Sequence, residues 1–163
     1  MPKKIALLFA GQGAQCVGMG RDLAERYPVA RDLFRKADEI LGRNLRDIAW
    51  NGPMEELTKT SNCQPALYVH ALAALAALRE VFGEFEVGGA AGLSLGEITA
   101  HAAAGTFDFA TGLKLVQKRG KFMYSTARNA ATIIRVLIAS NRRTPAILPT
   151  MYSKRGTGLA RMV

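Results

Sequence analysis

Residues 91–100 read AGLSLGEITA and hold the side chain best suited to covalent chemistry. Ser94 stands between Gly92 and Gly96 in a G-x-S-x-G frame. That frame describes a serine on a sharp strand-to-helix turn, its hydroxyl lifted clear of the backbone and backbone N–H groups aimed where an oxyanion forms. Ser94 also stands three residues ahead of Glu97, the S-x-x-E spacing of a helix N-cap. An apolar strand before the motif and a helix after it supply the context an elbow requires, and the capping spacing does not compete with it, because an elbow serine also lies at a helix N-terminus. From these residues alone, nucleophile and cap both remain open.

The stretch FAGQGAQCVGMG, residues 9–20, is a second glycine-rich turn. It departs from the dinucleotide fingerprint, with Cys16 in place of the third glycine, and it lacks the Gly-Lys-Ser/Thr of a phosphate loop. What it offers is Gln12, an amide on a tight turn at a strand end. In a parallel sheet such turns share one edge, so Gln12 and Ser94 can face one crevice. The chain has two histidines as candidate bases for Ser94, His70 and His101. His101 lies two helical turns beyond Ser94, about 10 Å along the axis, whereas a base must come within about 3 Å. His70 falls inside a long Ala/Leu run and reads as a core residue. Arg119, in QKRGKF, reads from its neighbours as a solvated helix cation like Lys118 and Lys121.

The positioning elements are legible from periodicity. KKIALLFAGQG is a short buried strand with its turn, and RDLAERY a helix. PVARDLFRKADEILG is another helix, with Val29, Leu33, Phe34 and Ile40 on one stripe, Pro28 at its start and Gly42 as its stop. NLRDIAWNGP adds a helical turn or two. QPALYVHALAALAALREVFG is a long helix, apolar nearly all round, that belongs in a core. FEVGGAAGLS is the strand leading into Ser94, LGEITAHAAAG the helix leaving it, and DFATGLKLVQKRGKFM a last helix capped by Asp108. Strands and helices in this order, joined by short glycine turns, predict an α/β fold, a parallel sheet with helical layers.

At 163 residues, 49% hydrophobic and 21% charged, the chain suits one globular domain. The net charge of +9 is unevenly spread: 7 of the 22 Lys/Arg and none of the 13 Asp/Glu fall in residues 124–163. Those cations are scattered with few aromatics among them, so nucleic-acid binding is not expected. Cys16 and Cys63 have no Cys or His at ligand spacing, which argues against a metal site or a disulfide framework and suits a reducing cytoplasm. The N-terminal apolar run is shorter than a signal-peptide core, and the longest apolar stretch is too short and Ala-rich for a bilayer, so no membrane association is expected. The acid-free segment 124–163 has no clear helical period. It reads as a basic tail distinct from 1–123, out of frame or disordered.

FAGQGAQCVGMG, GPMEELTKTSNCQPAL, GLSLGEITAHAAAGTFDF and LVQKRGKFM stand in an order and spacing that resemble the malonyl-CoA:acyl-carrier-protein transacylases, the acyltransferases of fatty acid synthesis. The resemblance covers residues 1–123 and implies the N-terminal part of an α/β-hydrolase-like large domain of the acyltransferase fold, here incomplete. It implies that Ser94 carries malonyl as an ester between malonyl-CoA and the acyl carrier protein, with no cofactor. It assigns the oxyanion donors to the N–H groups of Gln12 and Leu95, and the malonyl carboxylate to Arg119, whose fork binds carboxylates bidentately. Two departures stand out. Leu93 replaces the usual histidine before the serine and is expected to pack beneath the elbow. The base histidine belongs to a downstream segment beyond this sequence, so the alternative is a truncated, non-catalytic remnant with open sheet edge and apolar surface.

Overall fold

The computed structural model describes residues 4–83 and 85–125. Strand β1 (Lys4–Phe9) is followed by helices α1 (Arg21–Arg26), α2 (Pro28–Leu41), α3 (Leu45–Asn51), α4 (Met54–Thr58) and α5 (Thr60–Phe82). Strand β2 (Glu86–Gly92) then leads into α6 (Leu95–Ala103) and α7 (Phe109–Ser125). The two strands pair in parallel, from Lys4 opposite Glu86 to Phe9 opposite Gly92, with one irregularity between Ile5 and Ala6. The fold is α/β, as the strand–helix order predicts. Because Phe9 and Gly92 end level, the Gln12 turn and the Ser94 turn leave the same edge of the sheet.

β1 is less buried than its apolar sequence suggests: its residues alternate, and Leu8 is 82% exposed. The helices carry the core, where Phe34, Tyr68, Leu45, Leu57, Leu95, Leu113 and Val116 are buried. In α2 the buried stripe is Ala30, Phe34, Ala37 and Leu41, one position round from the expected one. Val29 is exposed, and Leu33 and Ile40 flank the stripe at its edges. Pro28 at the first position and Gly42 in a left-handed conformation bound this helix as its sequence predicts.

Helix α5 begins at Thr60, four residues before the expected Gln64, and passes through Pro65. Proline has no N–H for the Ser61 carbonyl one turn back. The Arg43 guanidinium donates to that carbonyl instead, at 2.6 Å, and also to Asn62 Oδ1. The 23-residue helix, longer than the apolar stretch within it, is long and apolar enough by composition to cross a bilayer. Here it is a core element, packed against α2, α6 and α7 and buried without a break from Asn62 to Val69. Helix α7 lies close against it because residue 112 is glycine: a Cβ there would stand 2.1 Å from the Tyr68 hydroxyl. That hydroxyl donates to the Phe109 carbonyl at 3.2 Å. Asp108 caps α7 as expected, accepting from the Thr111 N–H at 2.7 Å.

Candidate active site

Ser94 takes φ 58°, ψ −103°, and among the described residues no other non-glycine has positive φ. Such a conformation costs on the order of 1–3 kcal/mol and persists only where the surroundings enforce it. The enforcement is steric. A Cβ at Gly92 would lie 2.2 Å from the Gly96 carbonyl carbon, and one at Gly96 would lie 2.2 Å from the Phe9 carbonyl oxygen. A Cβ at Gly11 would lie 2.7 Å from the Leu93 carbonyl oxygen. Both turns therefore interlock backbone to backbone, which only glycine permits at these positions.

The hydroxyl does not cap the helix. Ser94 stands at the N-cap position of α6, yet its side chain makes no capping hydrogen bond. The residue is exposed, and its Oγ accepts from Arg119 Nη2 at 2.7 Å. Of the two sequence readings, the cap is the one the geometry does not realise. Leu93 departs from expectation too: it is 58% exposed beside the Gly11 turn, and the buried residue beneath the elbow is Leu95. The reason is the bend, which turns the residue after the serine into the core and leaves the one before it at the surface.

Arg119 is not a solvated cation. Lys118 and Lys121 are exposed, whereas Arg119 is half-buried against α5. Its Nη1 donates to Gln64 Oε1 at 2.7 Å, while Nη2 reaches Ser94. Burial lowers the guanidinium pKa from its usual value, and Glu97 acts in the opposite direction. A guanidinium stays charged through such shifts, so it donates and never accepts a proton here.

Gln12, on the neighbouring turn, accepts from Gln64 Nε2 at 3.3 Å and donates from Nε2 to Thr60 Oγ1 at 3.4 Å. The residues so joined are Thr60, Gln12, Gln64, Arg119 and Ser94. Sequence reasoning missed Gln64. The signal available was its polarity: an amide opening an otherwise apolar run, buried in the structure. Gln15 is tied to the same turn, its Oε1 accepting from the Gly13 N–H at 2.8 Å and from the Cys63 thiol at 3.1 Å.

The two histidines lie elsewhere. His101 Nδ1 is 3.4 Å from Thr106 Oγ1 and its ring tilts against Phe107. His70 is packed beside Gly20 and Phe34. Burial lowers both imidazole pKa values, with Asp22 opposing this at His70 and Glu97 at His101. Among the described residues no cluster of His, Cys, Asp and Glu could hold a metal, and both cysteines are free.

Residues 6–155 match the acyl transferase domain family. The chain is similar to the malonyl CoA-acyl carrier protein transacylase of Haemophilus influenzae, 44% identical over 121 residues, which are 74% of this chain and 39% of that protein. It is also similar to the crystal structure of the malonyl-CoA:ACP transacylase of Synechocystis, at 45% identity and TM-score 0.68 over 76% of this chain and 40% of that one. A third similarity is to the structure of a type II PKS acyl-carrier protein in complex with its malonyl-transacylase. There the identity is 40% and the TM-score 0.71, over 76% of this chain and 40% of that one. The chain thus spans about two fifths of the length of these relatives.

Proposed function

The chain belongs to the acyl transferase domain family, and from that premise we propose that it supplies the nucleophile and the carboxylate clamp of a malonyl transfer. Ser94 Oγ attacks the thioester carbonyl of malonyl-CoA. The carbon–sulfur bond breaks, coenzyme A leaves as its thiol, and the malonyl group stays on Ser94 as an ester. Attack by the phosphopantetheine thiol of an acyl carrier protein then moves malonyl to the carrier and restores the hydroxyl. This is covalent catalysis in two acyl transfers, neither of which requires a cofactor.

The observation that carries the reading is the Arg119–Ser94 contact at 2.7 Å on a positive-φ turn. The guanidinium cannot accept the serine proton. Its part is to grip the free carboxylate of malonyl with its fork, which holds the thioester carbonyl over Ser94. The Gln12 and Leu95 N–H groups serve as oxyanion donors, each worth about 3 kcal/mol of transition-state stabilisation. Level strand ends and interlocked turns support that pairing. The base is not among the hydrogen-bond partners of Ser94 described above. The resemblance assigns the base to a histidine, and among the described residues the partner of the Ser94 hydroxyl is Arg119.

The strand–elbow–helix unit supports an α/β-hydrolase-like large domain in this part of the chain. Two free thiols suit a cytoplasmic setting. The test is to incubate the 163-residue protein with malonyl-CoA and phosphopantetheinylated carrier protein and to assay the carrier thiol. Malonyl-carrier that forms with wild type and is lost in Ser94→Ala is the expected result. Carrier malonylated no faster than in a protein-free control overturns the proposal for this chain.

A further inference from the structure

Gln64 joins two residues that the proposed reaction uses and that lie on different elements. It accepts from Arg119 Nη1 at 2.7 Å and donates to Gln12 Oε1 at 3.3 Å. A guanidinium has only donors, so the face of the Gln64 amide toward Arg119 must be its oxygen. That orientation turns its NH2 toward Gln12, which must answer with Oε1. The Gln12 NH2 is then left facing Thr60 Oγ1, where it is found at 3.4 Å. One cation thus dictates the orientation of two amides in sequence. The last of them belongs to the turn that carries the Gln12 N–H.

We propose that Gln64 is a positioning residue that holds Arg119 in register with the Gln12 turn and thereby sets the preference for acyl groups bearing a free carboxylate. The inference rests on the reading of Arg119 as the carboxylate clamp. Gln64 is suited to the task because it lies within α5 and is only 1% exposed. A neutral acceptor orients the guanidinium without neutralising it, leaving its charge for the substrate. A carboxylate at the same place would satisfy the same Nη1 donor but compete with malonyl for the cation. It would also have no donor for Gln12 Oε1.

The discriminating quantity is the ratio of malonyl to acetyl loading. Loosening of the core slows loading from both thioesters alike, whereas loss of Arg119 register slows malonyl selectively. The experiment loads the full chain with malonyl-CoA and with acetyl-CoA and follows the Ser94 ester by intact mass. The proteins compared are wild type, Gln64→Glu and Gln64→Met, the last retaining side-chain length without amide chemistry. In parallel, the thermal midpoint of each is measured with and without malonate, with acetate as control. We expect the malonyl-to-acetyl ratio to fall at least tenfold in both variants, and the malonate-induced rise in midpoint, present in wild type, to disappear.

An unchanged ratio in a folded variant, or an undiminished malonate shift, overturns the role of Gln64 while leaving the proposed function standing. If wild type takes no ester from either thioester, the malonate shift still decides the positioning role. If wild type shows neither ester nor shift, the carboxylate clamp is refuted and this inference with it. Should Gln64→Glu not fold, Gln64→Met carries the same comparison.

Discussion

Gly96→Ala sets two opposed effects against each other at one atom. Gly96 is the second residue of α6, and replacing a helical glycine with alanine ordinarily stabilises by up to about 1 kcal/mol. Here the added methyl would stand 2.2 Å from the Phe9 carbonyl oxygen and 3.2 Å from that of Ala10. Both are backbone atoms, in or next to a strand paired along its length, so neither moves as a side chain would. Forcing a methyl into a filled site costs about 1–3 kcal/mol, and a contact more than 1 Å inside van der Waals distance belongs at the upper end of that range. Crowding therefore wins, and the expected net loss is about 2 kcal/mol. In a chain of this size that lowers the thermal midpoint by about 4–8 °C. Gly42→Ala is the companion measurement: nothing lies within 4 Å of its added methyl, so only the left-handed φ of 64° is penalised, by about 1–2 kcal/mol. Both are read by urea denaturation of the full chain. A Gly96→Ala protein as stable as wild type, or more stable, would refute the claim that backbone contact between the two turns forms the elbow.

Other expectations follow from the same structure. Arg43→Leu removes the donor that answers the Ser61 carbonyl left by Pro65, and denaturant titration should show a loss of about 1–3 kcal/mol. Burial holds His70 below its ordinary pKa, so in that window the unfolded chain binds more protons than the folded one. Stability attributable to His70 is then complete above the unfolded value of 6.5 and declines as pH falls below it. Denaturation midpoints from pH 8 to pH 5 should fall less steeply in His70→Gln.

Local signals were enough for most elements. Proline at the start of α2, glycine at its end, and Asp108 ahead of α7 each act within a turn of their own position. Misreadings arose where a distant residue decides. Pro65 argues for a helix start, and only Arg43, eighteen residues from Ser61, explains why α5 runs through it. The short α4 went unseen because its five residues are too few for any period to show. The α2 stripe was misplaced by one position because alanines at 30 and 37 line the core as closely as larger residues would. At the site, G-x-S-x-G left Ser94 between two roles, since both place serine at a helix start; the partner that separates them, Arg119, is 25 residues away. Arg119 itself looked solvated because its chain neighbours are lysines. The boundary assigned at residue 123 falls within α7, and residues 126–163 of the basic segment lie outside the described ones.

The claim on which the rest depends is that Ser94 is a nucleophile presented to a carboxylate-bearing thioester, and mass spectrometry addresses it in one step. The purified chain is incubated with malonyl-CoA, its intact mass is taken, and any adduct is mapped to a peptide. A malonyl ester on the peptide containing Ser94, absent from Ser94→Ala, is the predicted result. Wild type with unchanged mass, or an adduct that survives Ser94→Ala, would contradict it.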